Sequence, residues 1–154
     1  MLTLNLWFQI MLLLKISRTE NLLTFSMNPI QVLAAVIIKD QKILCVQRGT
    51  HKYPYLANKW EFPGGKMEPG ESQEQTIQRE IKEELSMEIQ PIKHLLSHTH
   101  HYPDFSIELH TWLCAPLSDE LELNEHQACV WLDAQNLKEL DWAEADVVEV
   151  LYLS

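Results

Sequence analysis

Hydrophobic and polar positions along this chain change their spacing several times, and each spacing predicts a different element. Apolar and β-branched residues run through residues 30–39 and 42–48, separated by the polar pair Asp40 and Gln41. Two such runs joined by a short polar turn predict a β-hairpin. Further runs of this kind predict strands at residues 59–62, 89–101, 105–116 and 129–132.

A helix is predicted to begin just after Ser72. Ser72 and Gln75 have the spacing of a capping box, in which each side chain bonds the backbone of the other residue. Ile77, Ile81 and Leu85 then recur at every fourth position and form one apolar stripe. The helix is therefore expected to pack through this stripe against the core.

The last apolar run, residues 141–153, predicts a closing helix with Asp141 as its candidate N-cap. Strands arranged around two helices indicate an α+β fold. At 154 residues with 46% hydrophobic content, the chain can bury one sizeable core. A single domain of about 130 residues is the expected organisation.

The first predicted helix also carries an acidic face. Glu80, Glu83 and Glu84 stand three and four residues apart, so they share one side of the helix beside the apolar stripe. Crowded carboxylates repel one another, and a divalent cation such as Mg²⁺ or Mn²⁺ would turn that repulsion into attraction. The alternative is a solvated surface on which Arg79 and Lys82 supply local ion pairs. The charges alone leave both hypotheses open.

The loop before this helix favours the metal site. Pro63, Gly64, Gly65, Pro69 and Gly70 fall within eight residues. Glycines in such a loop let the backbone approach a ligand closely. A ligand-binding loop that leads into an acidic helix face is hard to attribute to a solvated surface.

This stretch resembles the Nudix hydrolase signature. Counting from Gly65, the charged positions of the signature are filled in order by Glu71, Arg79, Glu80, Glu83 and Glu84. The resemblance implies an α/β/α sandwich with a mixed sheet. It also implies that water cleaves a phosphoanhydride bond of a nucleotide substrate held by a divalent metal.

The match is closest to the MutT-like nucleoside triphosphate pyrophosphohydrolases. The tract NKWEFPGGK, residues 58–66, is similar to the sequence that precedes their signature, and the resemblance extends from about Met27 to the C-terminus. One position differs, because Ser86 stands where the family has glycine. Glycine serves there as a helix C-cap, so a modest loss of stability and no loss of chemistry is expected.

The resemblance assigns roles to individual residues around the metal. The implied ligands are one carbonyl and four carboxylates, namely those of Gly64, Glu80, Glu83, Glu84 and Glu125. Arg79 is expected to pair with Glu71 and to hold the loop against the helix rather than to contact substrate. Glu125 lies in the tract 124–132, and its alternative is an ordinary loop charge. The implied cofactor is Mg²⁺, with Mn²⁺ as a substitute.

Substrate contacts are predicted at five positions: Arg48, Glu61, Phe62, Glu144 and Asp146. Arg48 corresponds to a phosphate-contacting arginine, with a surface charge at a strand end as the alternative. Glu61 is expected beside the metals, next to Phe62. Asp146, with Glu144 close by, lies where MutT-like enzymes recognise the nucleobase.

Aromatic and histidine residues give weaker indications of a binding site. The candidates for stacking on a base are Tyr102, Trp131 and Trp142, although large aromatics are more often core residues. His98 and His100 share a strand face, yet no recognisable four-ligand set surrounds them, and zinc is not expected.

Charge and cysteine content narrow the class of protein. The net charge of −10 argues against a partner that is a nucleic acid polymer, because binding phosphates nonspecifically needs a basic face. The three cysteines are widely spaced and contain no C-x-x-C, so neither a disulfide framework nor a zinc knuckle is indicated. They are interpreted as buried thiols in a reducing cytoplasm.

Residues 1–26 are interpreted as an N-terminal extension, followed by a Nudix domain over residues 27–154. The extension begins with about fourteen apolar residues, which is short for a bilayer span, and it lacks the features of a signal peptide. No membrane partner is expected, although an anchor and an extra core helix are alternatives. The favoured interpretation is that Met27 is the natural start, because MNPIQVLAAVII is typical of a first strand.

The expected function is Mg²⁺-dependent hydrolysis of nucleoside triphosphates to monophosphate and pyrophosphate by a cytoplasmic monomer or dimer. Its purpose would be the removal of oxidised nucleotides such as 8-oxo-dGTP. A first alternative is a pyrophosphohydrolase of CTP or a modified pyrimidine nucleotide, favoured by the EHQA and AEAD segments. A second is a noncatalytic nucleotide-sensing module, against which the complete set of helix carboxylates argues.

Overall fold

The computed structural model describes residues 28–154 of the chain. The predictions of an N-terminal extension and of a start at Met27 lie outside the described residues. Among residues 28–154, no helix has the length and apolar content needed to cross a membrane.

The described residues form a mixed sheet of seven strands, as the resemblance implies. The strands are β1 (Ile30–Lys39), β2 (Lys42–Gln47), β3 (Trp60–Glu61), β4 (Gly64–Lys66), β5 (Ile89–His101), β6 (Ser106–Pro116) and β7 (Ala128–Leu132). Their order is β3-β2-β1-β6-β5, with β4 paired to β1 and β7 paired to β2. The β1–β6 pair is parallel and the other pairs are antiparallel.

The predicted hairpin of β1 and β2 is confirmed. Asp40 and Gln41 connect the strands with φ angles of 49° and 64°. Positive φ at both central residues is the conformation of a type I′ turn, whose twist matches that of the flanking strands. The hairpin places Arg48, which follows β2, beside β3.

Helices cover both faces of the sheet and complete three layers. Helix α1 (Gln73–Leu85) buries Ile77, Ile81 and Leu85 on one face, as its apolar stripe predicts. Helix α2 (Val147–Leu153) and two short 3₁₀ turns, at Ala134–Glu139 and Glu144–Asp146, lie on the other side. Alternate residues of β1 enter the two core clusters, so this strand is buried on both faces.

The capping box of α1 is confirmed. The Gln75 N–H donates to Ser72 Oγ at 3.2 Å, and the Ser72 N–H donates to Gln75 Oε1 at 2.9 Å. At the other end Ser86 is the C-cap with φ 53° and ψ 21°, and its N–H bonds the carbonyl of Lys82. A residue with a Cβ therefore occupies a left-handed position that glycine fills more readily.

Substitution of Ser86 by glycine is expected to give a protein about 1 kcal/mol more stable than substitution by alanine. Both variants lose the hydroxyl that accepts from Asn124 Nδ2 at 3.1 Å, so only the strain at the left-handed position distinguishes them. Urea unfolding of the two variants measures the difference. Equal midpoints would show that the cap is unstrained.

The predicted closing helix was too long, and Asp141 does not cap it. The Trp60 N–H donates to the Asp141 carbonyl, and the Ala143 N–H donates to the Trp60 carbonyl, so this segment is tied to β3 in an extended form. Helical hydrogen bonds begin only after this bridge. The Asp141 carboxylate instead accepts from Lys59 Nζ at 2.7 Å.

Three further differences concern two short elements and one thiol. Strand β4 lies within the predicted glycine loop, where Gly64–Lys66 pairs with Val32–Ala34 of β1. The turn at Ala134–Glu139 also had no counterpart among the predicted elements. Cys45 and Cys114 are buried as predicted, whereas Cys129 is only half-buried.

Candidate active site

A cavity of about 500 Å³ lies against the α2 side of the sheet and reaches α1 at one end. Its walls come from β1, the loop at residues 49–53, the β5–β6 hairpin and the turn before α2. Acidic side chains line the end near α1, and apolar side chains line most of the remainder. This division gives the cavity one end suited to cations and one suited to an apolar ring.

Glu84 is the buried centre of the acidic end, with a relative exposure of 7%. Its Oε2 accepts the Gly64 N–H at 3.3 Å. Burial, followed by the negative charges of Glu61, Glu125 and Glu80, raises the pKa of the Glu84 carboxyl to about 9. Such a site carries more negative charge than it can stabilise without a cation.

The glycine loop is fitted closely against this acidic end. A Cβ added to Gly64 would overlap the carbonyl of Leu33, and a Cβ added to Gly65 would overlap the carboxylate of Glu80. Burial raises the pKa of Glu80, although the hydrogen bond from Arg79 opposes the shift. The loop therefore needs glycine because β1 on one side and a predicted ligand on the other come within contact distance.

The predicted pairing of Arg79 with Glu71 is confirmed. Arg79 Nε donates to Glu71 Oε1 at 2.6 Å, and Nη2 donates both to Glu71 Oε2 and to the Lys66 carbonyl at 3.0 Å. Bonds from Arg79 and Thr76 lower the pKa of Glu71 to about 2. The loop is thus tied to α1 in the manner expected of a positioning arginine.

Glu83 differs from the other two helix carboxylates. Its side chain is 57% exposed, and its Oε2 lies 3.4 Å from Arg79 Nη1. Glu80 and Glu84 are enclosed, while Glu83 stands at the rim. The predicted shared face is present, but burial along it decreases from Glu84 outward.

Glu125 is held above this face by its neighbours in the loop. The Asn124 N–H and Nδ2 donate to the carbonyls of Glu84 and Glu83, at 3.0 and 2.9 Å. On the other side, His126 Nε2 donates to Glu61 Oε1 at 2.9 Å. The exposed Glu125 side chain between these two anchors lines the cavity.

Asn124 and His126 were not among the predicted site residues. Both act through contacts made only after the loop meets α1 and β3, and the sequence carries no local signal for either contact. The bond from His126 to Glu61 gives this histidine a role in shaping the loop.

The chemistry of the donor set suits a divalent metal, although no three acidic, histidine or cysteine side chains of residues 28–154 converge closely enough to hold an ion as they stand. The oxygens of Glu80, Glu83, Glu84 and Glu125 and the Gly64 carbonyl are hard ligands of the type that Mg²⁺ and Mn²⁺ prefer. Burial, and then the charges of Glu61, Glu125 and Glu80, raise the pKa of Glu84, and a dication would stabilise the charged form of this carboxylate. The assignment of individual ligands stays a prediction.

Arg48 and Glu61 join the acidic end to the rest of the cavity. Arg48 Nε donates to Glu61 Oε2, and the Arg48 side chain is 35% exposed and lines the cavity. Arg48 therefore lies in the cavity wall. From this position its guanidinium is available to a phosphate that enters the cavity.

Asp146 lines the cavity and has a relative exposure of 7%. Its Oδ1 accepts the Phe62 N–H at 2.9 Å. Burial, and then the nearby charge of Glu61, raises the pKa of Asp146 well above its ordinary value. Phe62 also lines the cavity and stacks on Trp142, with ring centroids 4.7 Å apart.

The structure does not bring every predicted substrate residue to the cavity. The Glu144 side chain is 76% exposed and lies 3.4 Å from His100, outside the cavity lining. Of the three aromatic candidates, Tyr102 lines the cavity. Trp142 is a core residue, and Trp131 packs in the cluster on the α1 side of the sheet.

Most of the chain is similar to known proteins. The model of the NUDIX domain matches residues 27–151. The CTP pyrophosphohydrolase of Escherichia coli K12 is 39% identical over 121 residues, which cover 79% of this chain and 88% of that protein. The 8-oxo-dGTP diphosphatase of the same organism is 30% identical over 120 residues, covering 78% of this chain and 92% of that protein.

Solved structures show the same architecture. The solution structure of the E. coli ORF135 protein superimposes with a TM-score of 0.70 at 37% identity, covering 81% of this chain and 88% of that one. The MutT NUDIX hydrolase of Burkholderia pseudomallei gives a TM-score of 0.73 at 23% identity, covering 82% and 99%. At that lower identity the second match shows the fold alone.

Proposed function

Because the chain belongs to the NUDIX family, in its MutT-like group of nucleoside triphosphate pyrophosphohydrolases, we propose that it hydrolyses a nucleoside triphosphate to the monophosphate and pyrophosphate. The observation that carries the proposal is the cavity itself. Glu61, Glu84 and Glu125 line the cavity near Gly64, and the buried carboxyl of Asp146 lines the same cavity together with apolar side chains. A triphosphate needs bound cations, which carboxylates can hold, whereas a base needs a largely apolar surface with a few polar contacts. The lining of the cavity provides both.

The proposed reaction is a displacement at the β-phosphorus by water. The new bond joins the water oxygen to the β-phosphorus, and the bond to the oxygen that bridges the α- and β-phosphorus atoms breaks. The monophosphate keeps the bridging oxygen, pyrophosphate carries the oxygen from water, and the proton of water is released. No covalent bond to the protein is required.

Several residues hold the reactants in this scheme. Glu80, Glu83, Glu84 and Glu125 and the Gly64 carbonyl would hold Mg²⁺, with Mn²⁺ as a substitute. The ion, when bound, neutralises polyphosphate charge and makes water a better nucleophile. Arg79 and Glu71 keep the loop against α1, and Arg48 orients a phosphate.

Asp146 is the proposed contact to the base. Burial and the nearby charge of Glu61 favour the neutral form of this carboxyl, and the neutral form offers one hydrogen-bond donor and one acceptor. Cytosine has the complementary pair, an amino donor beside a ring-nitrogen acceptor. Guanine also has a donor and an acceptor side by side on its pairing edge, N1–H and O6, so the preference for cytosine rests on the similarity to a CTP pyrophosphohydrolase.

We therefore propose a cytosine nucleotide as the first candidate substrate, supported by the identity to a CTP pyrophosphohydrolase. 8-oxo-dGTP is the second candidate, because oxidation gives the guanine ring an N7–H donor beside its O6 acceptor. The 30% identity to an 8-oxo-dGTP diphosphatase also supports it. Adenine shares the donor–acceptor pair, so ATP belongs in any comparison. Nucleotide sanitation, a cytoplasmic location and a monomeric or dimeric state remain predictions.

Asp146→Asn is expected to keep KM for the preferred nucleotide within about threefold, whereas Asp146→Leu raises it about tenfold. Asparagine keeps one donor and one acceptor, and its oxygen can still accept the Phe62 N–H. Leucine of similar size keeps neither. Steady-state kinetics of both variants measures the contrast. Equal KM values for the two variants would remove Asp146 from base recognition.

The function is tested with a panel of canonical and oxidised nucleoside triphosphates, assayed for pyrophosphate release in the presence of Mg²⁺. CTP or 8-oxo-dGTP should have the highest kcat/KM. Reaction in ¹⁸O-water should place the label in pyrophosphate, whereas label in the monophosphate would contradict attack at the β-phosphorus. A nucleotide sensor would bind members of the panel and release no product.

A further inference from the structure

Glu149 is a fully buried glutamate on α2 that the proposed reaction does not use. Thr111 Oγ1 donates to its Oε1 at 3.0 Å, and His98 Nδ1 lies 3.2 Å from the same oxygen. Among the described residues, neither Glu149 Oε2 nor His98 Nδ1 makes a hydrogen bond. A buried carboxylate is costly unless it is paired, so Glu149 and His98 have to be considered together.

The hydrogen bond on the other side of the ring fixes how protons are arranged in this pair. His98 Nε2 lies 3.0 Å from the carbonyl of Ala145, and a carbonyl only accepts, so Nε2 carries a proton. If Nδ1 and Glu149 Oε1 both lacked a proton, two lone pairs would face each other at 3.2 Å. One shared proton, on either atom, makes the contact attractive and leaves the pair with no net charge.

His98 links this pair to the segment that carries Asp146 into the cavity wall. The carbonyl of Ala145 accepts from His98, and the N–H of Ala145 donates to Tyr102 Oη at 3.2 Å. Both polar backbone atoms of Ala145 are therefore held by side chains of β5 and the residue that follows it. The next residue along the chain is Asp146, so its side-chain position follows from how Ala145 is held.

We propose that His98 and Glu149 form a positioning pair that sets Asp146 against the nucleobase and so determines base preference without touching the substrate. Glu149 keeps the imidazole in the orientation in which Nε2 reaches Ala145. His98 then fixes the peptide that carries Asp146. The inference rests on the proposed function, because it gives Asp146 the role of contacting the base.

Two substitutions of His98 distinguish the roles of the two ring nitrogens. The amide nitrogen of glutamine reaches about as far as Nε2 and can still donate to Ala145, whereas that of asparagine reaches only as far as Nδ1. His98→Asn is expected to raise KM for the preferred nucleotide about tenfold. The ratio of kcat/KM between this nucleotide and those with other bases should become smaller. His98→Gln is expected to stay within about threefold of the unaltered protein in KM, and kcat should change little in either variant.

Glu149 gives a second comparison that does not depend on how the His98 variants fold. Glu149→Gln keeps a donor for Nδ1, and Glu149→Met fills a similar volume without one. KM should rise in the methionine variant only. His101→Ala is the matched control, since this exposed histidine of β5 contacts Ser106 and not the closing segment.

The outcomes distinguish the inference from the function on which it rests. Equal KM values and equal base preference in the asparagine and glutamine variants, or in both Glu149 variants, would overturn the positioning role. Variants that lose thermal stability but keep both quantities would also overturn it. Absence of pyrophosphate release by the unaltered protein with every nucleotide would instead contradict the proposed function.

Discussion

Glu84→Gln is expected to lower turnover at least about a hundredfold while the fold stays intact. Glutamine has nearly the same shape, and its oxygen can still accept the Gly64 N–H. It lacks the negative charge that a dication needs. Because Glu84 is the most buried of the helix carboxylates, no solvent molecule can easily replace its ligand oxygen.

Glu88→Gln is the matched control for this substitution. Glu88 lies just beyond α1 and has an exposed side chain, and among residues 28–154 its carboxylate pairs only with Lys82, at 3.2 Å. The Glu88→Gln variant should have the same turnover number as the unaltered protein. Titration calorimetry with Mg²⁺ and Mn²⁺ should show weaker uptake by Glu84→Gln than by Glu88→Gln. Near-normal turnover in the Glu84 variant would defeat the assignment of this residue to the metal.

The features that the sequence predicted best depend on neighbours along the chain. The start of α1 follows from Ser72 and Gln75, which bond each other within one turn. The Arg79–Glu71 pair was predicted because a signature resembling that of a known family spans both residues. Burial of Ile77 and its stripe followed from helical periodicity alone.

Features set by tertiary contacts were not predictable in the same way. Strand β4 exists because Gly64–Lys66 meets β1, and nothing in a three-residue glycine tract specifies a strand. Asp141 is of a residue type that often caps helices, but the backbone bonds between its segment and Trp60 hold it in an extended conformation. The deep burial of Glu149 opposes the usual preference of glutamate for the surface, and only the arrangement of β5, β6 and α2 reveals its partner.

The sequence also could not predict which carboxylates of the acidic face are buried. Helical spacing places Glu80, Glu83 and Glu84 on one side, but it does not show which of them faces β1 and the glycine loop. The structure shows that Glu84 is enclosed and that Glu83 is exposed at the rim. From this difference we expect the charge of Glu84 to matter most, both for chemistry and for stability.

In metal-free protein, we expect the unaltered chain to lose stability relative to Glu84→Gln as the pH rises from about 5 to about 9. The folded protein holds the Glu84 proton up to a pKa of about 9, against 4.5 for an ordinary glutamate. Between these values the folded state binds more protons than the unfolded state. The free energy of unfolding therefore falls with pH, by at most about 1.4 kcal/mol per pH unit from this group. Glutamine does not titrate and lacks this dependence.

Urea unfolding in the presence of a chelator, at several pH values between 5 and 9, measures the difference between the two proteins. Glu88→Gln should follow the unaltered protein throughout. A difference that does not change with pH would show that Glu84 is ionised in the folded protein without metal. Addition of Mg²⁺ should restore the unaltered protein and affect Glu84→Gln far less, because only the carboxylate gains from the cation. The group that destabilises the metal-free fold would then be the one on which hydrolysis depends.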